Sequence, residues 1–389
     1  MNTFEETAGL CALNRIFGFE PKIAHALLSH IGSACEIFGL PPKDMDNLLG
    51  PYSKYRGAVR RSALDEAKKE LESLHEKEIC FIGCTCADFP QMLRLCDDHP
   101  VGLYVRSRTP ANELFAPSRM IAVIGTRDLS PYGREWCRNI VHGLASSPDR
   151  PVIVSGLALG TDICAHTAAV EAGLPTIGVM ATGPEKVYPY RHNGFADRLV
   201  RTPGCGLITD YPPDTAPLPV HFLRRNRIIA GMSEAVVLVE SKIKGGGMMT
   251  ARLAYSYNRD VYALPGRVDD VCSKGCNLLI REKVAEAVTD TESFIRSLGM
   301  RPAGNIRSLP ASELLQQSYA GRTSNDRIEI MARIITRIRR ERGITIEEIA
   351  VAENLDFSTV SSLAAILEAD GFISTDILQR CCIKKRISE

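Results

Sequence analysis

Met120-Ile121-Ala122-Val123-Ile124-Gly125-Thr126-Arg127 is the stretch on which the reading of this chain turns. Five apolar residues in a row match a strand buried on both faces, and the glycine and arginine behind them mark its end. Similar short runs follow at 152–154, 176–180, 207–209, 235–239 and 261–263, with segments of helical length between them. Strands that alternate with helices are joined by right-handed crossovers. The expected core is therefore α/β: a parallel sheet with helices on both sides.

In an open parallel sheet, ligands bind beyond the carboxyl ends of the strands. The residues at those ends are Gly125-Thr126-Arg127, then Ser155-Gly156 with Gly160-Thr161-Asp162 just beyond, then Tyr211-Pro212, and finally Gly245-Gly246-Gly247 before a helix expected from about Met248. Glycine corners let backbone N–H groups approach an anion, and helix N-termini favour negative charge. A single corner of this kind is equally a tight turn. Several around one crevice suit a ligand with more than one phosphate.

Arginines supply a second signal. His221, Arg224, Arg225 and Arg227 lie in a stretch, 215–233, without an acidic residue. Guanidinium groups match phosphate oxygens. Arg224 or Arg225 alone could belong to a solvated helix face, whereas Asn226 and Arg227 precede the apolar pair Ile228-Ile229 and are expected to point into structure. Tyr188-Pro189-Tyr190-Arg191-His192 sets aromatic faces beside a cation, as single-strand binders do for base stacking, although loop packing uses the same residues.

Composition bounds the rest. The chain has 389 residues, 45% hydrophobic and 24% charged, with a formal net charge of +1. That is ample for two or three globular domains and excludes a wholly basic coat, so any anion site must arise from local clustering. The first ten residues lack a signal pattern, and no apolar run is long enough to span a membrane, which points to the cytoplasm. The 13 cysteines are scattered. Cys11, Cys35, Cys137 and Cys164 read as buried thiols inside helices. Cys80, Cys84, Cys86 and Cys96 cluster but lack paired C-x-x-C knuckles, so neither a metal nor a cofactor is expected.

The sequence divides into residues 1–78, helical; 79–296, the sheet domain; 297–325, a Pro, Gly, Ser, Gln and Arg-rich linker; and 326–389, a small domain. In the first part, Ile31-Gly32-Ser33 resembles the turn of a helix-hairpin-helix, which can hold a phosphate or simply connect. In the last, Ile328, Met331, Ile335 and Ile338 mark a helix, Thr345 with Glu348 forms a capping box, Ser358 is expected to cap a third helix, and a strand pair begins near Ile373. That order resembles a winged helix. The third helix carries Glu368 and no Lys or Arg, so a major-groove reader is not expected, with Lys384, Lys385 and Arg386 a possible separate anion patch.

Enzyme readings fit less well. There is no G-x-G-x-x-G after the first strand and no G-K-[ST] phosphate loop. Ser155, Asp162 and His166 could suggest a hydrolase, but the G-x-S-x-G elbow is missing, and Asp162 and His166 are expected to form a structural hydrogen bond.

Taken together, these blocks resemble the DNA-processing protein A (DprA/Smf) family. The matching strings are residues 123–127, 154–162 with Ala165-His166, Tyr188-Pro189, 222–231, Leu264-Pro265-Gly266 and 275–280, with Asp88-Phe89-Pro90 and Leu103-Tyr104 upstream. The resemblance implies an extended Rossmann-like sheet with an N-terminal SAM or helix-hairpin-helix-like domain. It further implies a homodimer that binds single-stranded DNA and delivers it to a RecA-type recombinase in recombination and natural transformation, with no catalytic activity. It places the DNA at Gly125, Thr126, Arg127, Ser155, Gly156, Gly160, Arg191, Arg224, Asn226, Arg227, Gly246, Gly247 and Thr250. The family's serine-bearing turn is replaced here by Gly245-Gly246-Gly247, which keeps the amides and loses a hydroxyl. The competing reading is a nucleoside-monophosphate phosphoribohydrolase on a related sheet, whose glutamate after the glycine turn is missing: Arg252, Leu253 and Ala254 follow Thr250-Ala251.

Overall fold

A computed structural model describes residues 3–116, 119–301, 315–316, 318–341, 344–376 and 379–383. It divides into two compact units, Met1–Ala303 and Gly304–Glu389.

The first unit is built on nine strands: β1 (Ile79–Gly83), β2 (Gly102–Arg106), β3 (Met120–Ile124), β4 (Val152–Ser155), β5 (Thr176–Val179), β6 (Gly206–Thr209), β7 (Ala235–Leu238), β8 (Asp260–Ala263) and β9 (Glu286–Ala287). Their order in the sheet is β1-β2-β6-β5-β4-β3-β7-β8-β9. From β6 to β9 all neighbours are parallel. At the other edge β1 and β2 run antiparallel to each other, and β2 runs antiparallel to β6. The six strands expected from sequence, β3 to β8, are parallel as read, and β1 and β2 add an antiparallel edge that the sequence reading did not include. The connection between β1 and β2 holds only the one-turn helix Gln91–Arg94, too little for a crossover, so the two pair as a hairpin does.

Among the described residues, fourteen helices surround this sheet: α1 (Thr3–Phe17), α2 (Pro21–Ile31), α3 (Ala34–Ile37), α4 (Pro42–Leu49), α5 (Arg61–Glu76), α6 (Gln91–Arg94), α7 (Ala111–Leu114), α8 (Pro131–Ser146), α9 (Thr161–Glu171), α10 (Asn193–Arg201), α11 (Pro219–Met232), α12 (Gly246–Ser256), α13 (Lys274–Arg281) and α14 (Thr291–Ser297). Alternation along the strands explains why the runs are apolar throughout. Ile121 and Val123 of β3 face a core formed with Cys137, Ile140 and Leu144 of α8 and Ala165 of α9. Met120, Ala122 and Ile124 face the opposite core with Ile228 and Ile229 of α11. That second core continues without a break into the first 78 residues: Leu10, Leu13 and Phe17 of α1 and Leu64, Leu71 and Leu74 of α5 join Ile79, Phe81 and Tyr104 in it.

The turn at Ile31-Gly32-Ser33 is a connector. Gly32, at φ +82°, closes α2, and Ser33 caps α3. The amides that a phosphate would need already bind the Glu6 carboxylate, with Ala34 N–H donating at 2.6 Å and Cys35 N–H at 3.3 Å. Burial works against the Glu6 charge, yet those two amides and the Ser33 hydroxyl hold its carboxyl below the ordinary range. The phosphate alternative is therefore closed by the protein's own carboxylate.

The second unit contains α15 (Asn325–Arg340), α16 (Ile346–Glu353), α17 (Phe357–Ala369) and the antiparallel pair β10 (Ile373–Thr375) and β11 (Cys381–Ile383). Ile328, Met331, Ile335 and Ile338 are buried as the spacing predicts, and Thr345 with Glu348 forms a complete capping box. The third helix begins earlier than expected. Asp356, rather than Ser358, accepts the Thr359 N–H at 2.9 Å, because a carboxylate outcompetes a hydroxyl for the N-terminal amides. Glu368 binds the Thr375 N–H and hydroxyl, each at 2.8 Å, and so ties α17 to β10. The expected linker is packed at both ends: Leu298 and Met300 in the sheet unit, Leu315 and Tyr319 in the second core. Its middle, and Lys384, Lys385 and Arg386, lie outside the described residues.

Candidate functional site

Strand order reverses between β3 and β7, since β4 lies on one side of β3 and β7 on the other. Loops leaving those two strands must diverge, and a crevice opens between them. An open cleft of about 650 Å³ sits there, lined by residues 125–128 after β3, by Ser241, Lys242 and residues 244–247 after β7, and by one face of α11.

Glycine lets the two corners meet. A Cβ on Gly247 would lie 2.7 Å from Leu238 Cδ1 and 3.4 Å from Gly125 Cα, and one on Gly125 would lie 2.4 Å from Thr161 Oγ1. The helix α12 begins at Gly246, where an added Cβ would meet open space, and Gly245 before it offers no side-chain cap. The Met248 N–H donates to the Gly245 carbonyl at 3.2 Å, and the Gly246 and Gly247 N–H groups, at the positive end of the helix without a side-chain acceptor, can be taken by an anion in the cleft.

The helix α11 presents Phe222, Arg225, Asn226 and Ile229 to the cleft, positions i, i+3, i+4 and i+7 of one helical face. Arg225 is 4% exposed, and its guanidinium donates to the Val179 carbonyl at the end of β5. Asp162 stands across from it and accepts the Ala158 N–H at 3.3 Å. Burial pushes the Asp162 carboxyl above its ordinary range, against the pull of Arg225 and of that amide. Arg127 is exposed at the rim with its guanidinium 5.4 Å from the centre of the Phe222 ring, and Tyr188 meets the same ring edge-on at 5.4 Å. Lys242 and Lys244 complete the cationic lining, and the acidic groups that line it are Asp128 and Asp162. Four cations against two carboxylates give this corner a positive local charge that the chain's overall +1 conceals.

Gly125, Thr126, Arg127, Asn226, Gly246, Gly247 and Thr250 therefore come together in the cleft. The other residues expected there do not line it. Arg227 is 6% exposed and turned to the opposite face of α11, where it pairs with Asp210 at 2.5 Å and donates to the Asp98 carbonyl. Arg224 lies over the Phe19 ring at 4.5 Å and donates to the Phe19 carbonyl. Ser155 is fully buried, its hydroxyl donating to the Val123 carbonyl at 2.6 Å. Gly156 and Gly160 act from beneath. A Cβ on Gly156 would collide with Asp162 and the Arg225 guanidinium, and Gly160, at φ +76°, packs on the backbone of Thr126 and Arg127. Arg191 is exposed on the short helical turn Tyr190–His192, outside the cleft lining. Sequence reasoning passed over Arg225 and Phe222 as contacts, although the 3.6-residue phase from Asn226 would have selected both. Lys242 and Lys244 stand directly after β7 and were equally legible by the strand-end rule.

The expected Asp162–His166 hydrogen bond is not formed. His166 is fully buried and instead bonds the Gly156 carbonyl through Nε2 at 2.6 Å and the Thr176 hydroxyl through Nδ1 at 2.7 Å. The two lie one turn apart on the same helical face, but Asp162 is held by the Ala158 N–H and the charge of Arg225, while the ring goes to the Gly156 carbonyl. The Ser155 hydroxyl donates to the Val123 carbonyl and stands beside Asp162, and both His166 nitrogens are taken by the Gly156 carbonyl and Thr176, so no Ser–His–Asp relay is assembled. Burial lowers the His166 imidazole to about 4. The folded state then binds fewer protons than the unfolded one between about pH 6.5 and 4, so the His166 contribution is complete above pH 6.5 and lost as pH falls through that window. Thermal melts at pH 7 and pH 5 are expected to show a smaller acid-induced drop in His166→Gln than in the wild type; equal drops would remove His166 as a source of acid sensitivity.

Fold and site together define an open α/β protein with a cationic, amide-lined cleft at its topological switch point. Comparison with known proteins agrees. The pattern of the family described as DNA recombination-mediator protein A matches residues 81–299. Protein Smf of Escherichia coli is 36% identical over 210 residues, 54% of each chain, so the match spans about half the length of that relative. DNA processing protein DprA of Streptococcus pneumoniae is 38% identical over 256 residues, 65% of this chain and 87% of the relative. The solved structure of DprA from Streptococcus pneumoniae superimposes with a TM-score of 0.60 at 28% identity, covering 76% of this chain and 97% of that one. DprA from Helicobacter pylori, solved for insight into its single-stranded DNA binding mode, gives 0.50 at 28% identity, covering 57% and 95%. The chain belongs to the DNA recombination-mediator protein A family. Among the described residues, no helix is long and apolar enough to cross a membrane.

Proposed function

We propose that the cleft between β3 and β7 holds the phosphodiester backbone of single-stranded DNA without regard to sequence. The observation that carries this reading is the pairing of uncapped α12 amides with Arg127, Arg225, Lys242 and Lys244 in one crevice. Those groups recognise phosphate, which carries no sequence information. Tyr188 and Phe222 add aromatic faces beside the cations, on which any base can stack. Membership of a recombination-mediator family and the single-strand binding of the Helicobacter pylori relative support the same reading. On that membership we assign the chain a place in recombination and DNA uptake, as a homodimer that delivers the strand to a RecA-type recombinase. Among the described residues of the second unit, helices α15 to α17 and the strand pair fit a winged-helix-like domain that contacts protein or regulates rather than reading the major groove.

The test is a salt titration of oligo-dT and duplex binding by the full chain, since the first 78 residues share the sheet's core. Tighter binding of the single strand is expected, with a log–log salt slope of about −2.8 if all four cations meet phosphates. A flat salt dependence, or preference for duplex, would overturn the reading. A phosphoribohydrolase would release free base from AMP, and no release is expected.

A further inference from the structure

Outside the cleft lining, three metal-ligating side chains from separate parts of the sequence converge where the first helices meet the sheet's edge. His25 lies on α2, Cys84 follows β1 directly, and His99 precedes β2. One ligand atom from each lies within 4.8 Å of the other two. Cys84 is a free, buried thiol, and both histidines are half-buried, so the cluster is closed on the sulfur side and open on the imidazole side.

The hydrogen bonds around the rings orient them. His25 Nε2 lies 2.8 Å from the His99 carbonyl, and His99 Nδ1 lies 3.1 Å from the Pro100 carbonyl. A carbonyl only accepts, so each of those nitrogens carries the proton, and the lone pairs fall on His25 Nδ1 and His99 Nε2. Metal-bound histidines are held in this way, one ring nitrogen donating to a carbonyl while the other ligates. The rings lie 3.9 Å apart between centroids, a close approach that two imidazolium ions would resist.

We propose that His25, Cys84 and His99 form a three-ligand site for a zinc-class divalent cation, with the fourth position open to solvent. The donor set is borderline-soft nitrogen and sulfur, which selects zinc or cobalt over magnesium or calcium. Tetrahedral ligands around zinc stand about 3.3–3.6 Å apart, so closure takes movements of roughly 1 Å, within reach of half-buried rings. Binding breaks the Cys84 S–H bond, forms a metal–thiolate bond and releases one proton to solvent. Arg94 and Arg227 place positive charge nearby and weigh against a cation, a cost that the thiolate partly offsets. The site would staple α2 to the strand edge. Of the four clustered cysteines, only Cys84 takes part: Cys80 and Cys86 are exposed, and Cys96 is engaged with Met92, Gly231 and Arg259.

The experiment is a Co²⁺ titration of the reduced, chelator-stripped full chain, followed by Zn²⁺ competition. Thiolate-to-cobalt charge transfer and intense tetrahedral visible bands are expected and should vanish on adding Zn²⁺. Cys84→Ser should abolish the charge-transfer band, and His25→Gln or His99→Gln should weaken Co²⁺ binding at least about tenfold. Cys80→Ser and Cys86→Ser should leave it unchanged. Zn²⁺ should raise the melting temperature of the wild type and not of His25→Gln, a half-exposed position whose substitution spares the core. Absence of a thiolate band in the wild type, or its persistence in Cys84→Ser and His25→Gln, overturns the proposal and leaves two histidine rings, tilted against each other, beside a buried thiol.

Discussion

Arg227→Ala is expected to destabilise the first unit by about 3–5 kcal/mol, the usual result of removing one partner from a buried ion pair. Its guanidinium pairs with Asp210 with side chains only 7% and 3% exposed, and it donates to the Asp98 carbonyl. Truncation leaves the Asp210 carboxylate buried without its counter-charge, and Asp210 Oδ1 already lacks a protein partner among the described residues. The damage spreads because the Asp210 carbonyl accepts the Asn14 side chain at 2.8 Å, linking β6 to α1. Denaturant melts measure the effect. The double variant Arg227→Met/Asp210→Asn should recover a large part of the loss, since removing both charges removes the stranded one. A stable Arg227→Ala protein with weakened DNA binding would instead return Arg227 to the contact surface.

Arg127→Glu should have the opposite profile: unchanged stability and a large loss of binding. Arg127 is exposed at the cleft rim, and its substitution buries nothing. A hydrogen bond to a charged group is worth about 1.5–3 kcal/mol, so the loss in single-strand affinity should be roughly 10–100-fold, the same for every sequence. The salt slope should become shallower by about 0.7, because one phosphate fewer is neutralised. Fluorescence anisotropy with oligo-dT and oligo-dA across a salt series reads both quantities. Arg191→Glu, outside the cleft lining, should change affinity far less. Equal losses for Arg127→Glu and Arg191→Glu would move the strand's path toward the Tyr190–His192 turn.

Helical phase accounts for the different fates of the α11 arginines. From Arg224 to Arg227 the sequence shows a single basic run, and four consecutive helical residues point in four directions. Asn226 and Arg225 reach the cleft, Arg224 turns to Phe19, and Arg227 turns to Asp210. A linear reading saw the charge and could not see the partners, because Phe19, Asp98 and Asp210 are distant in sequence. The same limit explains His166, whose ring finds the Gly156 carbonyl rather than the carboxylate one turn away. It also explains Cys84, which pattern matching compared with neighbouring cysteines while the fold set it beside two histidines.

What the sequence alone determined is the local and periodic part. Apolar runs at two-sided burial, glycines at strand ends and the Thr345 capping box are decided by residues within a few positions of one another. They set the strands from β3 to β8, the cleft's position and its glycine corners. The tertiary structure decided direction and partnership: the antiparallel edge of β1 and β2, the single core shared by residues 1–78 and the sheet, and which cations face solvent. Those outcomes depend on contacts between residues tens to hundreds of positions apart, where packing and desolvation, rather than local propensity, choose the partner.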